Sequence, residues 1–197
     1  MKTWIAELRT SLLAVVALAV ILCVFYPLTV WVLTQGLFPA KANGSLITQS
    51  GEIVGSSLIA QGFKGPGYFH PRPSNAGQGY DAVRSGGSNL GPLSKGLIET
   101  VRRRIADYRA ENGLLPDTLV PADAVMASAS GLDPHISLKN AWIQASRVAK
   151  ARGLTEAAIR NEIEACTENR TMGILGEPRV NVLLLNLALD GVRNAAK

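Results

Sequence analysis

From Thr10 to Ala40 the chain contains no Asp, Glu, Lys or Arg, and this uncharged run constrains everything that follows it. Its centre, Leu12 to Leu33, is nearly all Leu, Val, Ala and Ile with a few aromatics. A helix needs roughly 20 consecutive apolar residues to cross the hydrocarbon core of a bilayer. Backbone N–H and C=O groups must pair within the segment there, so a single span has to be helical. Pro27 removes one internal hydrogen bond and should kink the outer half of the helix. Trp4 near one end, and Tyr26 and Trp31 towards the other, suit the headgroup level. Two other readings compete. Ala40-Lys41-Ala42 has the small-x-small form of a signal cleavage site, but the apolar run exceeds the 7–15 residues or so of a signal core. A buried core helix is disfavoured by the same length. The expectation is a retained anchor.

Lys2 and Arg9 precede the span and only Lys41 closely follows it, which favours a cytoplasmic N-terminus. The expected organisation is residues 1–10 in the cytoplasm, 11–35 across the membrane, and 36–197 as one extracytoplasmic domain, periplasmic where the cell has a periplasm. Of 197 residues, the anchor leaves one domain of ordinary size, large enough to bury a core without staples. The two cysteines, Cys23 in the span and Cys166 in the domain, are not expected to pair. The net charge of +5 is dispersed. Its one run, Arg102-Arg103-Arg104, sits in a helical pattern near Glu99 and Asp107 and reads as a solvated face. No aromatic–basic interleaving points to nucleic acid.

Beyond the anchor, the expected fold class is α+β: a β-hairpin, a long Gly/Pro-rich loop region and four to five helices. Ala42 to Gln61 reads as the hairpin. Ser45–Thr48 is one strand, Ser50-Gly51-Glu52 the turn, and Ile53-Val54 with Ser57–Ala60 the return; Gly55 suggests a bulge or a close backbone approach. Gly62 to Pro92 is rich in Gly and Pro, yet holds Phe63, Tyr68, Phe69 and Tyr80. Disordered segments usually lack aromatics, so this loop should pack down. Leu93 to Ala110 reads as an amphipathic helix with Pro92 at its start and Leu93, Leu97, Val101, Ile105 and Tyr108 on one stripe. Pro121 to Ser130 reads as a short helix, and Leu132 to Ile136 as a connector fixed by Pro134. Ser137 can cap a helix over Leu138–Arg152, with Leu138, Ala141, Trp142, Ala145, Val148 and Ala149 inward and Gly153 ending it. Thr155 can cap another through about Cys166. Val180 to Leu189 permits strand or helix; a buried helix over Val182–Asp190, capped by Asn181, is the reading taken.

The search for chemistry is brief. Ser130, Asp133 and His135 invite a catalytic triad, but a triad is defined by geometry, and no G-x-S-x-G elbow is present. The same residues serve well at helix ends and turns. With His70 and His135 the only histidines, no metal-ligand spacing appears. Ser85-Gly86-Gly87-Ser88-Asn89 is similar to the Leu-Ser-Gly-Gly-Gln signature of ABC ATPases, but without any P-loop it reads as a polar turn. The residues alone therefore describe an anchored accessory or binding component. Ala14, Ala17, Ala19 and Cys23 would let the span approach other membrane helices closely.

Several long stretches in order carry a more specific signal. They are Asn43–Ile47, Gly55–Gln61, Tyr68–Ser74, Tyr80-Asp81-Ala82 with Ser85–Pro92, Pro121–Val125, Ala129–Ser137 and Leu175–Leu183. Along nearly its whole length the chain resembles the KdpC family, the C subunits of the Kdp high-affinity potassium-transporting ATPases. Met126, where Thr is expected, and Ala60, where Gly is expected, are its slight departures. The resemblance implies a non-catalytic subunit working with a channel-like potassium-binding subunit, a P-type ATPase subunit and a small membrane peptide. It implies a role in assembly and activity, described in the family as that of a catalytic chaperone raising the ATPase subunit's affinity for ATP. ATP and K+ would belong to the complex; no catalytic, cofactor or metal residue is assigned to this chain. Tyr80, Asp81, Ser85, Gly86, Gly87, Ser88, Asn89, Ser130, Asp133 and His135 are expected to form loops that contact partners or define the architecture. The rivals are an anchored periplasmic binding or sensing domain acting without a pump, and an anchored hydrolase using Ser130, Asp133 and His135.

Overall fold

A computed structural model describes residues 2–49 and 51–191. The chain separates into two compact units, one up to Leu46 and the other from Ile47 onward.

The first unit is dominated by an apolar helical run, Thr3–Leu37, of 35 residues with a mean hydropathy of 2.7 over its most apolar stretch and no part buried by the protein. At about 1.5 Å per residue it is long enough to cross a bilayer with turns to spare. It comprises α1 (Lys2–Val20), a π-helical turn (Ile21–Phe25) and α2 (Tyr26–Leu37). The irregularity expected at Pro27 thus appears as a widened turn just before it. Thr29 and Thr34 return their hydroxyls to the carbonyls of Phe25 and Trp31, which hides both donors from an apolar solvent. A one-turn helix, α3 (Pro39–Ala42), follows, and paired amides of Gln35 and Asn43 bridge it back to α2.

The second unit is α+β. β1 (Leu46–Gln49) and β2 (Glu52–Ser56) form a hairpin. After a long loop come α4 (Lys95–Glu111), α5 (Ala122–Val125), β3 (His135–Ser137), α6 (Leu138–Arg152), α7 (Glu156–Ala165), β4 (Thr167–Glu168), β5 (Arg179–Asn181) and α8 (Val182–Leu189). The last three strands make an antiparallel sheet in the order β3-β5-β4, with Ile136 and Thr167 both opposite Val180. Helix α6 packs on α7, and its Ala141, Ala145, Val148 and Ala149 meet Ile159, Ile163, Ile136, Val180, Val182 and Leu185 in the main core. The small alanines let the two helices approach closely. Ile47, Leu183 and Leu187 form a second cluster under the hairpin.

The caps expected for α6 and α7 are present: Ser137 accepts from the Asn140 amide, Thr155 from the Ala158 amide, and Gly153 ends α6 at φ +65°. Other expectations need correction. Helix α4 begins at Lys95, because the Ser94 hydroxyl accepts from the Leu97 amide. Leu93 is left 92% exposed, off the inward stripe. Arg104 leaves the solvated basic face and donates to the Val125 carbonyl. The hairpin return stops at Ser56, since the backbone beyond it finds other partners: Asn181 takes the Ser57 carbonyl and Leu132 takes the Ala60 amide. Gly55 stays in β2 without a break, and a Cβ there would meet the Gln61 amide. The helix expected over Pro121–Ser130 is one turn long, because the Met126 and Ala127 carbonyls turn to the Arg72 guanidinium. Part of the connector before Ser137 is strand β3. Trp142 is exposed, and Asn140 and Gln144 occupy buried positions of α6 instead. The ambiguous segment near residue 180 is both structures in succession: strand to Asn181, then helix α8 from Val182, with Asn181 capping it.

The loop from Gly62 to Pro92 contains one regular element, the 3-10 turn Ala82–Arg84, yet Phe69 is fully buried. Its backbone groups are satisfied by side chains from distant helices. Asn186 on α8 accepts from the Phe69 amide at 2.8 Å and donates to the Phe69 carbonyl at 2.9 Å. Gln144 on α6 does the same for His70, at 2.8 and 3.1 Å. Arg147 donates to the carbonyls of Pro66 and Tyr68, and Arg152 to that of Gly67. The amide side chains thus act as short stretches of neighbouring strand. Arg152 also lies over the Tyr68 ring and pairs with Asp190.

Candidate functional site

Two loops expected to matter, Tyr80–Pro92 and Ser130–Ser137, lie against each other in the second unit. The Ser130 carbonyl accepts from the Gly86 amide at 2.9 Å and from the Ser85 hydroxyl at 3.0 Å. Gly87 lies against the backbone of Ala129, where a Cβ would come within 3.0 Å of the carbonyl oxygen. Gly131 has φ +68°, and a Cβ there would approach the Gly86 oxygen at 2.7 Å and the Ala76 nitrogen at 2.8 Å. Glycine is required here for two reasons, backbone conformation and close approach.

Tyr80 and Asp81 build the near end of this junction. Tyr80 takes φ +57°, its amide donates to the Ser74 hydroxyl, and its own hydroxyl donates to the Arg72 carbonyl at 2.9 Å. Burial raises the Tyr80 phenol above its ordinary range, opposed by Arg104 nearby. Asp81 accepts from the Val83 amide and pairs with Arg84 at 2.7 Å, capping the 3-10 turn. Ser88 accepts from the Leu90 amide, and Asn89 adopts φ +52°. These residues shape backbone, as their turn chemistry implies.

Ser130, Asp133 and His135 do not form a triad. The Ser130 hydroxyl accepts from the Leu132 amide at 3.1 Å and meets the Ser128 hydroxyl at 3.4 Å. Asp133 is held from two sides. Its Oδ2 accepts from Arg72 at 2.9 Å, and its Oδ1 accepts from the His135 amide at 3.0 Å with the His135 ring at 3.4 Å. Burial works to raise the Asp133 carboxyl, but the hydrogen bonds from His135 and the pairing with Arg72 prevail and hold it at about 2. The other ring nitrogen of His135 lies 3.6 Å from Glu168, which in turn pairs with Arg179. Arg72, Asp133, His135, Glu168 and Arg179 thus form a continuous line of polar contacts. All but Glu168 border a 500 Å³ groove with Met126, Ser137 and Glu177.

A second network supports this line from behind. Asp123 accepts from the amide and hydroxyl of Ser137 and from Asn140. Asn140 accepts from the Tyr108 hydroxyl at 2.7 Å and from Gln144 at 2.9 Å. Burial, with Asp123 close by, raises the Tyr108 phenol far above its ordinary range. His70 completes the junction with α4: its Nδ1 lies 2.9 Å from Glu111 and its Nε2 3.1 Å from the Gly65 carbonyl. The hydrogen bond from His70 holds the Glu111 carboxyl below its ordinary range against the opposing effect of burial. Among the described residues, no group of three or more His, Cys, Asp or Glu is placed to hold a metal ion.

The organising residue that sequence reasoning did not single out is Arg72. Its guanidinium holds Asp133 and the carbonyls of Met126 and Ala127, and its own main-chain carbonyl accepts from Tyr80, so one residue ties three loops together. The signal was its position between Pro71 and Pro73, which fix the backbone on either side. In the junction Arg72 pairs with Asp133 and Arg84 with Asp81, and the hydroxyls of Ser85, Ser88 and Ser130 are engaged with backbone.

Comparison with known proteins identifies the family. The family model described as "K+-transporting ATPase, c chain" (KdpC) matches residues 8–191. The potassium-transporting ATPase KdpC subunit of Rhodospirillum rubrum is 54% identical over 185 residues, covering 93% of this chain and 94% of that protein. That of Acidobacterium capsulatum is 54% identical over 184 residues, covering 93% and 97%. The subunit of Mycobacterium tuberculosis is 50% identical over 184 residues, with the same coverage. Span and domain are matched together, and the chain belongs to the KdpC family, the c chains of the K+-transporting ATPases.

Proposed function

We propose that this chain is a non-catalytic accessory subunit of an ATP-driven, high-affinity potassium-uptake complex. Residues 1–10 lie in the cytoplasm, 11–35 cross the membrane, and 36–197 form a domain on the outer side. Its partners are a channel-like potassium-binding subunit, a P-type ATPase subunit and a small membrane peptide. The outer domain lies over the entrance of the channel-like subunit and stabilises one state of the pump. Any rise in the ATPase subunit's affinity for ATP is then a coupling across the membrane, produced by contacts that differ between states.

One observation carries this reading. The family match takes in both the apolar span and the second unit, residues 8–191, so the anchored domain as a whole is what the family has in common. The engaged Ser130 hydroxyl and the flanking charges Lys2, Arg9 and Lys41 support the non-catalytic role and the orientation.

The test is to purify the chain from potassium-starved cells in mild detergent. A channel-like subunit and a P-type ATPase subunit are expected with it. Recovery alone, from membranes that contain both, would favour an anchored binding domain that works without a pump. Orientation is read separately, with an impermeant thiol reagent and a cysteine at Leu93 or Leu115, both exposed, after Cys166 is replaced. Labelling in intact cells is expected; labelling only after lysis would reverse the topology.

A further inference from the structure

The π-helical turn in the span leaves a main-chain acceptor without a donor. In Ile21–Phe25 the amide of Tyr26 donates five residues back, to the Ile21 carbonyl. In an α-helix that amide would serve Leu22. The next amide that could reach Leu22 belongs to position 27, which is proline and has none. The Leu22 carbonyl is therefore passed over twice. Cys23 and Val24 share the same shortage: without an amide at Pro27, only that of Leu28 remains for both. The Thr29 hydroxyl cannot help, because it is bound to the Phe25 carbonyl.

A proline alone orphans one carbonyl; proline preceded by a widened turn orphans a second. Water would correct this at a surface. Within a hydrocarbon core, where no water can replace the missing donor, an unpaired carbonyl is strongly disfavoured. No residue of Ile21–Phe25 is buried, so this stretch of the helix is open to a donor from another helix. Around the turn, Ala19 and Cys23 lie one helical turn apart and are small, so a neighbouring backbone can come close enough to place a short side chain on the carbonyl.

We propose that Leu22–Val24 is an acceptor site for a polar side chain of another membrane helix, a Ser or Thr hydroxyl or an Asn or Gln amide, which donates to the Leu22 carbonyl when the complex assembles. The proposal rests on the reading of the chain as a pump subunit and supplies the chemistry by which its span is recognised. A hydrogen bond made in lipid resists exchange and fixes both depth and rotation of the helix, whereas apolar packing alone leaves rotation weakly specified.

The sequence offers a direct probe. A Leu–Cys step occurs once, at Leu22–Cys23, so a chain carrying carbonyl-13C leucine and 15N cysteine has one directly bonded labelled pair. Solid-state NMR then isolates the Leu22 carbonyl. Spectra are recorded for the chain alone in bilayers and for the purified complex in the same lipids. A downfield shift of this carbonyl on assembly is the expected result. The same resonance position in both samples would overturn the acceptor site while leaving the subunit reading intact. Failure to recover any complex would remove both, and is known before a spectrum is taken.

Discussion

The side-chain amide of Asn186 closes a two-way hydrogen-bonded pair with the backbone of Phe69, 117 residues earlier in the chain. Both are buried, with Asn186 1% and Phe69 0% exposed. A strand neighbour would offer the same donor and acceptor, but here one side chain does so, and the loop needs no sheet. Asn186→Ala strips the partner from a buried N–H and a buried C=O together. At about 1–3 kcal/mol for each orphaned group, the variant should lose roughly 3 kcal/mol in urea unfolding of the detergent-solubilised chain. Asn186→Leu, close in volume, should lose about as much. If the leucine variant matched the native chain, burial rather than pairing would be what Asn186 contributes.

Asp133 gives the junction an acid limit. Its carboxyl sits near 2 in the folded chain against an ordinary 3.8. A depressed carboxylate contributes stability that is complete above its unfolded value and is lost as pH falls through the folded one. The contribution is therefore whole above about pH 5 and disappears between about pH 4 and 2, amounting to roughly 2 kcal/mol. Asp133→Asn should be less stable than the native chain at pH 7, and the difference should close over that window. A constant difference from pH 6 to pH 2 would show that the charge is not what holds Arg72.

Gly131 and Gly113 separate two demands made of glycine. Both have positive φ, +68° and +63°. Around Gly113 there is open space, whereas at Gly131 a Cβ would press on the Gly86 oxygen and the Ala76 nitrogen, which are backbone and cannot swing aside. Gly113→Ala should cost about 1 kcal/mol, the strain of the left-handed region alone. Gly131→Ala adds steric displacement of two loops and should cost several kcal/mol. Limited proteolysis should show cleavage near Ser85–Asn89 in that variant first.

How much of this was legible in the sequence follows from how local each cause is. The long apolar helix at the N-terminal end, the caps Ser137, Thr155 and Asn181, and the stop at Gly153 depend on nearby residues, and they read correctly. Val180–Leu189 was ambiguous because two elements with different periods meet at Asn181, which ends one and caps the other. Helix α5 read too long because what truncates it, Arg72 drawing off the Met126 and Ala127 carbonyls, is more than fifty residues away. The satisfaction of Gly62–Pro92 by Gln144, Arg147, Arg152 and Asn186 has no local pattern at all. The burial of Asn140 and Gln144 breaks the amphipathicity of α6, which is why Trp142 read as inward. The candidate loops were found through turn residues; that they meet, Gly86 on Ser130, is a tertiary fact.

Ser130 decides between chemistry and architecture. A hydrolase would lose its activity in Ser130→Ala while keeping its fold. In the structure the hydroxyl accepts from the Leu132 amide and meets Ser128. Its removal should cost about 1 kcal/mol, the net worth of one partly exposed hydrogen bond. The variant should still assemble and still support potassium-stimulated ATP hydrolysis by the complex at close to the native rate. A large loss of turnover with native melting behaviour would return Ser130 to the list of catalytic candidates.

Val83 and Leu93 separate contact from architecture on the other loop. They are 93% and 92% exposed, while the residues between them, Ser85 to Asn89, turn towards the Ser130 loop or their own backbone. An exposed apolar side chain at each shoulder of a rigid loop contributes little to the fold, so Val83→Lys and Leu93→Lys should each change domain stability by less than about 0.5 kcal/mol. If Tyr80–Pro92 meets a partner subunit in the assembled complex, these same changes place a charge in an apolar contact and should lower recovery of the complex several-fold in mild detergent. Unchanged stability together with unchanged recovery would assign this loop to the internal architecture of the domain alone. The partner surface would then have to be sought elsewhere, first at the exposed turn carrying Met172, Ile174 and Leu175.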